Sequence, residues 1–148
     1  MILRLWVLGL ATPPEVDAWA AGYPIALLHV GAALAILILG TIVYGLLSPH
    51  REFAQVREGN AAAAVSLGGA LLGLALPLAF AVAASVSALD IALWGLTSLV
   101  LQLGLFWVVD VVLTGLPQRI REGDVAAAVL LAMAKLATAA ILAGAVTG

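Results

Sequence analysis

Three side chains in the second half of this sequence carry polarity where none is expected, since Gln102, Asp110 and Lys135 all fall inside long apolar runs. A lone charged group at the centre of a bilayer costs about 2.5 to 3.5 kcal/mol to insert, so such groups pair or line a polar path. Lys135 stands roughly 16 Å beyond Asp124 by helical rise, close to mid-bilayer, and Asp110 about 10 Å from the loop that follows its span. Helical side chains lean toward their own N-termini, and these two belong to consecutive, oppositely directed spans, so they converge. An Asp110–Lys135 ion pair or water-bridged contact is therefore expected. It would fix the register of the last two spans or serve an ion or proton path, the third reading being that Lys135 simply snorkels. Gln102 shares a helix with Asp110 but not quite its face. His29 is the strongly polar member of the first run. It could titrate near neutral pH or bind a haem, but His50 is about 30 Å away along the intervening helix. With no cysteine either, no metal or cofactor is expected, and His29 reads as a hydrogen-bonded structural residue.

The elements that position these groups follow from composition. Of 148 residues, 65% are hydrophobic and 9% charged, against about 25% charged in an average soluble domain. Lipid must solvate most of the surface. The formal net charge of −2 excludes a nucleic-acid binder resting on a basic face. Crossing about 30 Å of hydrocarbon takes about 20 apolar residues in a helix, and four runs qualify: Ile25 to Leu47, Ala61 to Val86, Ile91 to Leu116 and Val125 to Thr147. They are too long, and alternate too little, for barrel strands. Asn60 and Asp124 are placed to cap the second and fourth helices. Arg51 and Arg57 lie in one inter-span loop, Arg119 and Arg121 in another on the same face. The positive-inside rule then puts both loops in the cytoplasm and both termini outside, with Arg4 dissenting. Trp19, Tyr23 and Trp94 fall near the outer interface, and Tyr44, Phe53, Phe106 and Trp107 near the inner one.

Residues 1–22 form a separate segment, followed by a four-helix domain over 23–148. Ala18-Trp19-Ala20 resembles a small-residue cleavage site, but an uncleaved short interfacial helix broken by Pro13 and Pro14 is the expectation. The domain itself is duplicated, because an offset of about 64 residues aligns its halves, 23–86 and 87–148. Arg57-Glu58-Gly59-Asn60 matches Arg121-Glu122-Gly123-Asp124, and Ala62-Ala63-Ala64-Val65 matches Ala126-Ala127-Ala128-Val129. Each copy is one helical hairpin. The copies diverge where Leu71 becomes Lys135, Leu46 becomes Asp110 and Ile38 becomes Gln102. In the second span Ala62, Ser66, Gly69 and Gly73 make a small-residue face that lets another helix approach closely, either within the bundle or from a second protein.

No nucleophile elbow, phosphate loop, zinc-ligand spacing or dinucleotide fingerprint is present, so an enzyme is not expected. The stretch Arg57-Glu58-Gly59-Asn60-Ala61-Ala62-Ala63-Ala64, then Ser66-Leu67-Gly68-Gly69-Ala70-Leu71-Leu72-Gly73 with Pro77 and Leu78, and the second Arg-Glu-Gly-Asp hairpin, resembles domain-of-unknown-function family 350, also called uncharacterised protein family 0719. The likeness runs from about Ile25 to the C-terminus. It implies a small bacterial inner-membrane protein of four helices in two hairpins, with an accessory membrane role, and assigns no catalytic or binding residue. The expected function is a structural or accessory subunit, its partners being the lipid bilayer and either itself or another membrane protein. The alternatives are a small ion channel or proton-relay component using Asp110 and Lys135, with Gln102 and His29 along the path, and lipid or quinone binding between the hairpins.

Overall fold

Backbone N–H and C=O groups cannot go unpaired in hydrocarbon, which leaves helices as the way for isolated apolar runs of this length to cross it. The structure, a computed structural model, describes residues 13–48, 51–85 and 87–147. Its helices are α1 (Pro14–Leu47), α2 (Glu52–Arg57), α3 (Ala61–Ala84), α4 (Ala88–Val112), α5 (Leu116–Arg121) and α6 (Val125–Thr147). Four of them, α1, α3, α4 and α6, are long and apolar enough to span a membrane. The short helices α2 and α5 lie at the arginine-bearing end and feed α3 and α6.

Several boundaries differ from those read in the sequence. The first span starts at Pro14, so residues 14–22 extend the membrane helix and no break falls at residue 22. Pro14 is accommodated because the first turn of a helix has no use for its missing N–H. Residues 1–12, the rest of the expected interfacial segment, lie outside those described. The second span ends at Ala84, and Val86 too lies outside. The third runs from Ala88 to Val112 and does not reach Leu116. Gly115, at φ +86°, turns the chain, and Leu116-Pro117 opens α5 instead of closing the third span.

Both helix caps have the expected side-chain geometry. Asn60 Oδ1 accepts from the Ala63 N–H at 3.1 Å, and Asp124 Oδ1 from the Ala127 N–H at 3.1 Å. Asn60 does more, since its Nδ2 donates to the Ile120 carbonyl at 2.9 Å and so ties the first arginine loop to the second. Asp124 pairs with Arg119 at 2.6 Å. The Ala127 N–H, then the Arg119 guanidinium, holds the Asp124 carboxyl below its ordinary value of 3.8. The stabilisation this gives is complete above that value and lost as pH falls through the depressed one.

Packing centres on α3. Its small-residue face, Ala62, Ser66, Gly69 and Gly73, is buried against the other helices of the same chain. A Cβ on Gly69 would sit 2.7 Å from the Ala132 Cα on α6, and one on Gly73 would sit 2.7 Å from the Phe106 ring on α4. The face is therefore consumed inside the bundle and is not free to dock a partner, because lipid gives helices no other drive to approach so closely. The main core joins Ile36, Leu67, Leu74, Leu78, Ile91, Leu99 and Phe106. A second cluster, including Ala63, Leu116, Ile120, Ala128 and Leu131, closes the arginine-bearing end.

Candidate functional site

Lys135 is fully buried, and its surroundings are built from nearly every element of the bundle. Its Nζ lies 3.2 Å from Asp110 Oδ1 on α4 and donates to Tyr44 Oη on α1 at 3.0 Å. The Tyr44 hydroxyl donates in turn to Glu52 Oε2 at 2.6 Å, and Ser66 Oγ on α3 donates to the other Glu52 oxygen at 2.6 Å. Each donor thus meets an acceptor, in a chain running from Asp110 through Lys135 and Tyr44 to Glu52. The ammonium also lies over the Tyr44 and Phe106 rings, at 4.9 and 5.2 Å from their centroids. Such contacts supplement hydrogen bonds where water is excluded.

The structure brings Asp110 and Lys135 together, and the remaining residues singled out in the sequence fall in different places. Gln102 is buried about two turns before Asp110 on α4, its Nε2 3.4 Å from the Lys135 carbonyl. Its Oε1 has no hydrogen-bond partner among the described residues. His29 is half-buried on α1 and sits about 22 Å along that helix from Tyr44. It takes no part in the cluster, and among the described residues the hydrogen bond expected of it is not formed. Tyr44 and Phe106, read as interfacial anchors, are core residues with 4% and 1% exposure. They meet edge to face at 5.9 Å.

Glu52 was missed altogether. A glutamate three residues past a proline reads as a solvated loop charge, yet it is 2% exposed. It turns inward because Arg51 adopts the left-handed conformation, φ +50°, and so starts α2 at a sharp angle. A non-glycine residue there carries about 1 kcal/mol or more of strain, which the Glu52 hydrogen bonds offset. The 64-residue offset held the clue. Arg51 aligns with Gly115, which has the same positive φ, and Glu52 aligns with the buried Leu116.

Beside the cluster, a groove of about 640 Å³ opens between the ends of α1 and α4, lined by Tyr44, Leu47, Gly104, Trp107, Asp110 and Val111 among others. Asp110 is the partly exposed member of its pair, at 15% against 0% for Lys135. On the other side of Lys135, toward the end away from the arginines, the core is Leu74, Leu78, Ile91, Ala139 and Ala143. No ionisable side chain is buried there among the described residues. The charged cluster therefore occupies one half of the bundle's length. No group of acids and histidines fit for a metal ion is found among the described residues.

Four apolar spanning helices around a buried ionic cluster define an integral membrane protein. The chain belongs to a family catalogued as Domain of Unknown Function (DUF350), whose model matches residues 18–146. It is 33% identical over 112 residues to UPF0719 inner membrane protein YjfL of Escherichia coli K12, covering 76% of this chain and 83% of that protein. The same protein of Escherichia coli O157:H7 matches equally. No solved structure matches the chain.

Proposed function

We propose that the protein is a non-enzymatic accessory subunit of the bacterial inner membrane, with its arginine loops in the cytoplasm. It acts by associating with a second copy or a larger envelope assembly. The observation that carries this reading is α1. At 34 residues the helix is about 51 Å long, well beyond the roughly 30 Å of hydrocarbon it must cross. It is also the least buried of the four spans, with Leu27, Leu28, Leu34, Ile38 and Ile42 all exposed along it. With the small-residue face of α3 used up internally, α1 is the most exposed span available for association. The resemblance to an inner membrane protein supports the location.

The absence of cysteine from the sequence makes the test clean. A single Leu34→Cys or Ile38→Cys variant, oxidised in native membranes, should give a cross-linked dimer or a heterologous adduct. Cys introduced at the buried Ala70 should give none. If the α1 variants stay monomeric and uncross-linked at native abundance, the reading fails.

A second reading, a proton-relay component, draws on the unbroken donor chain from Lys135 through Tyr44 to Glu52. Conduction would require the apolar half beyond Lys135 to open and admit water. In proteoliposomes under a pH gradient, the relay predicts proton leak above that of empty vesicles, abolished by Tyr44→Phe. Leak equal to that of empty vesicles would dispose of it.

A further inference from the structure

Gln102 and Pro77 leave a surplus of buried acceptors that the cluster around Lys135 does not absorb. The Gln102 side chain is 1% exposed, and its Nε2 donates to the Lys135 carbonyl at 3.4 Å, an oxygen that also accepts from Thr138 Oγ1 at 2.8 Å. That donation fixes the amide's orientation, because turning it over would set two oxygens against each other. Its Oε1 is then left with no hydrogen-bond partner among the described residues. A second acceptor lies across from it on α3. Pro77, inside that helix, has no N–H, so the Gly73 carbonyl four residues earlier loses its helical donor. Gly73 faces the same amide, since a Cβ there would sit 3.6 Å from Gln102 Nε2.

We propose that one water molecule is bound at mid-bundle, donating one hydrogen to Gln102 Oε1 and the other to the Gly73 carbonyl. Two acceptors without donors call for a molecule with two hydrogens to give. In hydrocarbon an unpaired carbonyl is costly enough that a proline in a spanning helix is commonly accommodated by such a water. The residues that frame the spot are small. α3 and α6 run outward from the arginine end and α4 runs back, so Pro77, Ala139 and Ser98 stand about one turn beyond Gly73, Lys135 and Gln102 on the same side. All three are buried, and none is larger than proline. The water extends the polar interior past Lys135, toward the end where no ionisable side chain is buried among the described residues. It requires neither association through α1 nor proton transfer, so its failure would leave both of those readings as they stand.

The test labels the side-chain carbonyl carbon of glutamine with carbon-13, in the full chain in deuterated lipid, and follows magnetisation passed to it from water by solid-state NMR. The chain has three glutamines, Gln55, Gln102 and Gln118, and the signal absent from Gln102→Met identifies the one of interest. The Gln102 carbon should receive water magnetisation as early as that of the exposed Gln118, although it lies at mid-bundle. Ser98→Ala should leave this transfer in place, which separates a bound water from the nearby hydroxyl proton. Pro77→Ala gives the Gly73 carbonyl its N–H back, removes one of the two acceptors, and should abolish the early transfer. Transfer to Gln102 that arrives only late, by diffusion through the protein, overturns the proposal, as does early transfer lost in Ser98→Ala or unchanged in Pro77→Ala.

Discussion

Replacing Lys135 by leucine should destabilise the bundle by about 3 to 5 kcal/mol, the range found when one partner of a buried ion pair is removed. The loss has little to do with the worth of the pair itself. Without the ammonium, Asp110 faces an apolar side chain, and Tyr44 keeps its bond to Glu52 but loses the donor on its other side. The 64-residue offset suggests a control, because at that offset Glu52, Lys135 and Asp110 face Leu116, Leu71 and Leu46. Installing leucine at all three positions removes every charge together. That triple variant should recover most of the stability lost in Lys135→Leu, since well-packed apolar replacements of buried ion clusters are often neutral or stabilising. Reversible unfolding in mixed micelles, followed by helix content, measures both. A triple variant weaker than the single one would show that the cluster contributes net stability, and would sink this account.

The second large effect concerns Gly69. Alanine there would press its methyl into the Ala132 backbone of α6, at 2.7 Å from Cα, and a backbone atom cannot swing aside as a side-chain tip can. Gly69→Leu should separate α3 from α6 and cost about 3 kcal/mol or more, at the upper end for overpacked cores. Its neighbour Gly68 meets nothing within 4 Å. Gly68→Ala should instead stabilise the helix by about 0.5 to 1 kcal/mol, through the chain freedom glycine gives up on folding. The two adjacent substitutions, compared in the same unfolding assay, should move in opposite directions. Both moving the same way would mean that α3 does not present Gly69 to α6.

The sequence made the spans and the polar pair legible, for different reasons. Hydrocarbon demands long apolar helices, so four runs sufficed to place α1, α3, α4 and α6 to within a few residues at most ends. Asp110 and Lys135 could be matched because helical rise and side-chain lean are local properties, independent of tertiary detail. Glu52 could not. Its burial depends on one left-handed residue, Arg51, and arginine advertises no such conformation as glycine does at position 115. The end of α4 was misjudged for a related reason, since Leu113 to Leu116 are mostly apolar while the turn is set by a single positive φ. Small residues on α3 announce close approach without naming the partner, and only the fold shows that α4 and α6 are the partners.

The uneven division of the ionic cluster makes the two hairpins recognise one another and refuse themselves. Tyr44, Glu52 and Ser66 come from the first, Asp110 and Lys135 from the second. Two copies of the first would sequester a pair of glutamates with no cation in reach, and two copies of the second would lack the phenol and the carboxylate that receive the ammonium. The cluster closes only between unlike hairpins, so that pairing of like hairpins would carry an electrostatic penalty.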